Sequence, residues 1–272
     1  MKDKVVIITG GSSGIGKALA FEFGLQGSKL LITGRRSELL LLAELDLKAR
    51  GIVVHTFVGD VSVEEDNRKM VQTAIQLYGR IDVLVNNAGI SMRALFEELD
   101  LEVFKKVMEV NFFGTVYATK YALPHILKSK GSIVGISSVN GRRATPARSA
   151  YSASKYAMEG FLESLRTEVM KRDVHVLSVC PGFTSSNIRN SALTAHGDIQ
   201  GESPRNESKM MKAEEAAEYI YQAIIDQKRD LVLTVQGKMA VWMNKVFPGW
   251  MDNLTYKAMR KEQDSPLRDL PG

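Results

Sequence analysis

The chain has 272 residues, a formal net charge of +5 and a pI near 9.1, and 44% of its residues are hydrophobic. This length suits one large α/β domain or two small ones. No apolar run approaches the roughly 20 residues of a membrane helix, and no signal peptide precedes the first predicted strand. The single cysteine, Cys180, excludes an intrachain disulfide framework and favours a reducing, cytoplasmic location.

Histidine spacing and charge distribution exclude two ligand classes. The four histidines are scattered without the spacing of metal ligands, so we expect no metal site. The basic residues are dispersed and form no known nucleic-acid signature, so we expect no nucleic-acid partner. A modest basic excess that partly serves an anionic cofactor explains the charge better.

The first predicted element is a β-branched apolar run at residues 4–9, typical of a strand buried on both faces of a parallel sheet. It leads into a glycine-rich turn and then into a helical pattern. Such a turn lets the backbone approach a pyrophosphate, while the helix N-terminus supplies N–H groups and positive potential. The sequence therefore predicts a dinucleotide site; its residues are Gly10, Ser12, Ser13, Gly14, Ile15 and Gly16.

The second strand, residues 29–33, predicts which dinucleotide binds. An acidic residue at this point accepts the ribose 2′-hydroxyl of NAD, whereas arginine accommodates the 2′-phosphate of NADP. The chain has Gly34, Arg35 and Arg36 there. Because the guanidinium fork suits phosphate, we expect NADP(H).

Strands and helices then alternate along the chain. Ser37 is expected to cap a helix that runs to about residue 50. The later predicted strands cover residues 52–57, 81–85, 132–136, 174–180 and 231–235. The later predicted helices cover residues 64–78, 104–128 and 212–227, and a further helix is predicted around Tyr151. This alternation predicts a single α/β domain over residues 1–272: a Rossmann-like, doubly wound parallel sheet of about seven strands, with helices on both faces.

Tyr151 and Lys155 are four residues apart in a predicted helix and therefore lie on one face. A free tyrosine has a pKa of about 10 and is a poor acid or base at neutral pH. A nearby cation favours the phenolate and lowers that pKa. The pair is consistent with general acid–base catalysis, although such spacing also occurs by chance on exposed helix faces.

Several motifs together resemble the short-chain dehydrogenase/reductase family. They are TGGSSGIG at residues 9–16, NNAG at residues 86–89, Asn111, Ser138, Tyr151-x-x-x-Lys155 and Pro181-Gly182. The resemblance covers residues 4–185. The remainder is most similar to the branch of 11-beta-hydroxysteroid dehydrogenase-like and orphan dehydrogenase/reductases. Many animal members of that branch carry an N-terminal membrane anchor, and this sequence departs from them by starting at its first predicted strand.

The resemblance implies a role for each matching residue. Asn111, Ser138, Tyr151 and Lys155 would be catalytic, with Ser138 and Tyr151 on the substrate oxygen and Lys155 on the nicotinamide ribose. Phe183 would contact the substrate. Besides the glycine-rich turn, the cofactor would contact Arg35, Arg36, Asp60, Val61, Asn87, Ala88, Gly89, Tyr151, Lys155, Pro181, Gly182 and Thr184. The family usually has threonine two residues after Thr184, where this chain has Ser186.

Two segments follow the part of the chain that the resemblance covers. Residues 187–211 are polar, and we favour a substrate lid over a disordered loop. Residues 238–260 combine aromatic residues, methionines and lysines in a predicted hydrophobic helical extension that covers the substrate, contacts a second subunit, lies on a membrane surface or completes the core. We favour the first two of these roles, and we expect the chain from Lys261 onward to be disordered.

The sequence thus predicts an NADP(H)-dependent oxidoreductase. It would interconvert a carbonyl and an alcohol on a hydrophobic, lipid-like or steroid-like small molecule, as a homodimer or homotetramer. Substrate contacts are also expected from Ser91, Met92, Asn140 and, for an anionic group, Arg142 and Arg143. The alternative is a non-catalytic NADP(H) sensor or assembly protein of the same fold.

Overall fold

The strands of this chain are short apolar runs that are mostly buried on both faces, as parallel sheets require. A computed structural model describes residues 1–185, 188–203, 210–268 and 270. Its strands are β1 (Val5–Thr9), β2 (Lys29–Gly34), β3 (Val54–Val58), β4 (Val83–Asn86), β5 (Ser132–Ile136), β6 (His175–Cys180) and β7 (Asp230–Val232). These seven strands form one parallel sheet in the order β3-β2-β1-β4-β5-β6-β7.

Helices cover both faces of this sheet, which confirms the predicted doubly wound architecture. One apolar core lies under the helices Gly14–Leu25, Ser37–Lys48 and Ala213–Ile225, and a second lies under the helices Glu64–Tyr78, Gly114–Ser129 and Ser149–Val169. Among the described residues, no helix is both long and apolar enough to cross a bilayer. The helices are α1 (Gly14–Leu25), α2 (Ser37–Lys48), α3 (Glu64–Tyr78), α4 (Leu101–Met108), α5 (Gly114–Ser129), α6 (Ser149–Val169), α7 (Ala213–Ile225), α8 (Val235–Val246) and α9 (Pro248–Arg260).

The strand order reverses between β1 and β4, whose carboxyl ends therefore border a crevice. Ligands of open α/β sheets bind at such a switch point. Thr9 ends β1 and Asn86 ends β4, so the glycine-rich turn and the NNAG segment begin on neighbouring strands. The fold thus brings the two motifs to one edge.

Three local predictions were wrong. Ser37 does not cap α2, because the cap position is Arg36 and Ser37 is the first helical residue. The single long helix predicted over residues 104–128 is α4 and α5 joined by a π-helical turn, Glu109–Phe113. The chain after Lys261 is packed rather than disordered as far as residue 268, since Glu262, Ser265 and Leu267 are buried.

Candidate active site

The glycine-rich turn between β1 and α1 leaves no space for a side chain at Gly10 or Gly16. A Cβ on Gly10 would lie 2.9 Å from Cα of Ala88, and one on Gly16 would overlap the carbonyl oxygen of Gly10. Gly10 and Gly14 also have positive φ angles, which favour glycine. Among the described residues, no side chain caps α1, so the N–H groups at its N-terminus are not occupied by a capping side chain. This geometry suits an anionic group at the helix N-terminus.

Thr9 and Asn87 fasten this turn to the segment after β4. The Thr9 hydroxyl accepts hydrogen bonds from the backbone N–H groups of Asn87 and Ala88, both at 3.0 Å. The Asn87 amide donates to the carbonyls of Thr9 and Gly10 at 2.9 and 3.1 Å. The Asn87 side chain thus stabilises the backbone at the bottom of the crevice between β1 and β4.

Arg35 and Asp60 meet at the ends of β2 and β3. Nη1 of Arg35 lies 3.5 Å from Oδ2 of Asp60, and both side chains are partly exposed. The backbone N–H and hydroxyl of Ser62 donate to Oδ1 of Asp60 at 2.9 and 2.7 Å. Burial raises the pKa of Asp60, but these bonds and Arg35 outweigh it and hold the pKa below its ordinary value. An exposed guanidinium therefore stands where the second ribose of a dinucleotide is expected.

Helix α6 carries Tyr151 and Lys155 on one face, one turn apart, as predicted. The ammonium of Lys155 is 5.8 Å from the centre of the Tyr151 ring and donates to the carbonyl of Ile136 at 2.8 Å. Lys155 is only 2% exposed, and burial lowers its pKa to about 8 against the opposing pull of Glu159. Its charge is therefore poised near physiological pH.

The phenol of Tyr151 differs from the sequence expectation. Burial raises its pKa, while the hydrogen bond with Ser138 and the charges of Arg148 and Arg189 oppose that shift. The expected lowering by Lys155 does not dominate, because the desolvation of the phenolate outweighs the favourable interactions. Ser138 follows β5, its hydroxyl accepts from the backbone N–H of Asn140 at 3.1 Å, and it faces Tyr151.

Asn111 is fully buried in the π turn and ties three segments together. Its side chain exchanges two hydrogen bonds with the backbone of Ile90, at 2.8 and 2.9 Å. Its amide also donates to the hydroxyl of Ser154, between Tyr151 and Lys155, at 2.9 Å. π turns often mark functional sites, and here the turn sets the distance between α6 and the segment after β4.

Glu159 is a half-buried residue with several polar partners, and its role could not be recognised from the sequence. Its carboxylate accepts from the hydroxyl of Ser178 at 2.7 Å, from the thiol of Cys180 at 3.2 Å and from Arg142 at 3.0 Å. Arg142 also pairs with Asp230. The four-residue step from Lys155 was the available signal, because it places Glu159 on the same helix face. Its partners are too distant in sequence to be recognised.

The two arginines considered for an anionic substrate group are both engaged within the protein. Arg142 binds Glu159 and Asp230, and Arg143 binds Asp252 at 2.9 Å and the carbonyl of Met251 at 3.1 Å. Arg148, one turn before Tyr151, was not singled out from the sequence. Its Nη1 donates to Ser91 at 3.0 Å.

The described part of the predicted lid contacts the rest of the protein. Residues 188–203 form a small hairpin-like loop in which Leu193 bridges Met92 and Ile199. Leu193 also packs with Met92, Val107 and Ala150 in an apolar cluster against which the Tyr151 ring lies. The structure does not describe residues 187 and 204–209 of the predicted lid, nor Ser186 just before it.

The turn after β6 is the last part of the candidate site at the carboxyl edge of the sheet. A Cβ on Gly182 would overlap the hydroxyl of Thr234, and Pro181 accepts at 3.0 Å from the N–H of Val139, next to Ser138. The Thr184 hydroxyl is buried without a hydrogen-bond partner among the described residues. Phe183 is exposed. The buried hydroxyl and the glycine cradle both fit a dinucleotide lying across the strand ends.

Three comparisons identify the family. A family model described as short chain dehydrogenase matches residues 4–196. Dehydrogenase/reductase SDR family member 7B of Mus musculus is 35% identical over 97% of this chain and 84% of its own length. Dehydrogenase/reductase SDR family protein 7-like of Drosophila melanogaster is 38% identical over 90% of this chain and 77% of its own length.

Solved structures have the same fold. A short chain dehydrogenase/reductase of Burkholderia phymatum in complex with NAD superposes with a TM-score of 0.83 at 22% identity, over 93% of this chain and 96% of that one. An alcohol dehydrogenase of Thermococcus sibiricus complexed with 5-hydroxy-NADP gives 0.75 at 25% identity, over 85% and 96%. The chain therefore belongs to the short-chain dehydrogenase/reductase family of oxidoreductases, in its orphan dehydrogenase/reductase branch.

Proposed function

We propose that this protein is an NADP(H)-dependent oxidoreductase that interconverts a carbonyl and a primary or secondary alcohol on a hydrophobic, lipid-like or steroid-like molecule. The observation that carries the proposal is the convergence of Ser138, Tyr151 and Lys155 at the carboxyl edge of the sheet, beside the glycine cradle. The apolar cluster of Met92, Leu193 and their neighbours supports an apolar substrate, because Tyr151 packs against it.

Each protein group has a defined task in this proposal. A bound nicotinamide would supply the hydride for carbonyl reduction. Ser138 donates a hydrogen bond to the carbonyl oxygen and Tyr151 delivers the proton to it. Charged Lys155 then stabilises the phenolate that remains, and Asn111 holds α6 against the segment after β4. Because cellular NADP is mostly reduced, we propose reduction as the physiological direction.

Arg35 supports the preference for NADP(H). Its guanidinium is exposed at the end of β2, and no carboxylate occupies residues 34–36 to accept a 2′-hydroxyl. Charge-assisted hydrogen bonds are worth about 1.5–3 kcal/mol, so Arg35→Ala should weaken NADPH binding roughly 10- to 100-fold and leave NADH binding unchanged. The matched control is Arg50→Ala, an exposed arginine after α2. Equal losses for both dinucleotides would contradict the proposed preference.

The activity is tested by following NADPH oxidation with ketones and aldehydes of increasing apolar size. Tyr151→Phe should still bind NADPH in a fluorescence titration but lose at least about 100-fold in turnover, since it removes the acid. A wild-type protein that binds NADPH tightly but reduces none of these compounds would favour the sensor or assembly function.

The remaining expectations concern assembly and location. We propose a homodimer or homotetramer in which α5 and α6 contact a second subunit, as the family resemblance implies, and a cytoplasmic location. Light scattering after size-exclusion chromatography tests the assembly. A monomer at micromolar concentration would exclude it.

A further inference from the structure

The last two helices expose a continuous series of large apolar side chains. On α8 these residues follow a helical spacing of four, three and four positions, and from the cap residue Phe247 into α9 they follow a spacing of three and four. They are 44–73% exposed, far more than the core residues of the same helices. The series is Val235, Met239, Trp242, Val246, Phe247, Trp250 and Leu254. We call it the C-terminal apolar stripe.

Other side chains of the same helices fix them to the protein. Val241 and Met251 are buried. Asn244 donates to the carbonyl of Arg142 at 3.3 Å, and Asp252 pairs with Arg143 at 2.9 Å. These contacts dock the two helices on the protein, while the residues of the stripe remain exposed.

Charge distinguishes between possible partners of the stripe. Residues 235–261 contain five basic residues and one acidic residue, Asp252, which Arg143 already neutralises. Lys238, Lys245, Lys257 and Lys261 are exposed and form no ion pair in the described part of the chain. Lys238 and Lys245 each adjoin a stripe residue in sequence, so their ammonium groups lie at its border. A border of lysines around tryptophan and phenylalanine is typical of surfaces that bind anionic membranes.

A second copy of the chain fits this surface poorly. A two-fold contact places the same patch on both sides, so the unpaired lysines would face one another. An anionic bilayer offers phosphate and carboxylate groups at the depth of those lysines and acyl chains below them.

We propose that α8 and α9 dock the protein peripherally on an anionic lipid surface, with the C-terminal apolar stripe inserted into the acyl boundary and the bordering lysines on the headgroups. All residues from Lys245 to Trp250 are exposed, so the junction of the two helices enters deepest. This inference does not depend on the proposed enzymatic activity.

The chain carries its own reporter, because its two tryptophans, Trp242 and Trp250, both belong to the stripe. Vesicles of phosphatidylcholine mixed with phosphatidylserine should shift tryptophan emission of the full chain to the blue and carry the protein in a flotation assay. Phosphatidylcholine with brominated acyl chains, mixed with phosphatidylserine, should quench the emission. Vesicles of phosphatidylcholine alone should bind far less protein.

Variants separate the apolar and electrostatic parts. Each lysine near an anionic surface contributes about fivefold, so Lys238→Gln/Lys245→Gln/Lys257→Gln should weaken binding roughly 100-fold. The control Lys2→Gln/Lys106→Gln/Lys171→Gln removes three exposed lysines elsewhere and should bind as the wild type does. Trp242→Ser/Trp250→Ser should lose flotation, whereas Leu25→Ser/Met170→Ser, which changes two exposed apolar residues elsewhere, should not.

Two results would overturn the proposal. One is the absence of both emission shift and flotation with anionic vesicles. The other is emission that is already blue-shifted without vesicles and moves to the red as the protein is diluted, because this would place the stripe in a contact between subunits. Circular dichroism of each variant excludes unfolding as the cause of lost binding.

Discussion

Glu159→Gln should move the pH dependence of the proposed reaction, although the carboxylate of Glu159 is bound to Arg142, Ser178 and Cys180. The substitution keeps the shape of the side chain and removes one negative charge, one helical turn beyond Lys155. The ammonium of Lys155 is buried, and its pKa is already lowered to about 8 by desolvation, which Glu159 partly offsets. Loss of the carboxylate should lower that pKa further.

The size of the effect follows from the helix spacing. One turn along a helix separates the two charged groups by roughly 6–8 Å. At an effective dielectric constant of about 20, two unit charges at that distance attract by about 2 kcal/mol. Since about 1.4 kcal/mol corresponds to one pKa unit, the pKa of Lys155 should fall by at least about one unit.

The other charged groups around Glu159 support the expected direction of the pKa shift of Lys155. Arg142 in the turn after Ser138 and Arg166 on α6 are positive, while Asp230 on β7 and the thiol of Cys180 on β6 complete the surroundings. With the carboxylate gone, the nearby Arg142 would disfavour the Lys155 ammonium further. Because the charged form of Lys155 is the active one in the proposed mechanism, activity should disappear at lower pH than in the wild type.

The assay is the pH profile of kcat/KM for NADPH-dependent carbonyl reduction. In Glu159→Gln the alkaline limb should move to lower pH by about one unit or more, and Glu159→Asp should restore most of it. Glu163→Gln is the matched control, because Glu163 lies one turn further along α6, exposed and paired with Arg229. A uniform loss of activity at every pH, with an unmoved limb, would refute the electrostatic role and leave only a structural one.

Three further predictions test the site and its support. Gly16→Ala should weaken NADPH binding at least about tenfold in a fluorescence titration, because the Cβ overlaps the carbonyl of Gly10, whereas Gly160→Ala, which has open space, should not. Asn111→Leu should lower the free energy of unfolding by about 3 kcal/mol or more in urea, since it leaves both backbone groups of Ile90 without their partner and removes the hydrogen bond to the Ser154 hydroxyl. Burial raises the pKa of Asp82, but hydrogen bonds from Arg80, the backbone of Val5 and Lys4 outweigh it and lower the pKa below its ordinary value. Asp82 therefore stabilises the fold above its unfolded pKa, and this contribution is lost as the pH falls through its folded pKa. Asp82→Asn should therefore destabilise the protein at pH 7 and flatten its acid unfolding curve; an unchanged curve would contradict this.

Local signals predicted most of the scaffold. The helix at residues 64–78 is found with the predicted bounds, because Glu64, Glu65 and Asp66 favour its N-terminus and Gly79, with φ of 75°, ends it. The strand at residues 132–136 also matches. The last strand is displaced to Asp230–Val232, because Thr234 takes a φ of 66° and caps α8.

Features that depend on distant partners could not be predicted. The π turn at Asn111 is accompanied by hydrogen bonds to Ile90 and Ser154, which are 21 and 43 residues away. The order of residues 261–268 similarly depends on Arg93, which binds Glu262 at 3.4 Å and the carbonyl of Gln263 at 2.8 Å. The prediction of disorder from Lys261 followed only from its position near the end of the chain.

The position of Cys180 has a practical consequence for measuring stability. The thiol is fully buried at the end of β6, and burial next to Glu159 raises its pKa to about 12, so it should resist alkylation in the native state. Since it is the sole cysteine, its labelling rate would report how often the sheet edge opens, with no engineered probe. Any dinucleotide that binds the closed form would slow the labelling by a factor that gives its affinity directly.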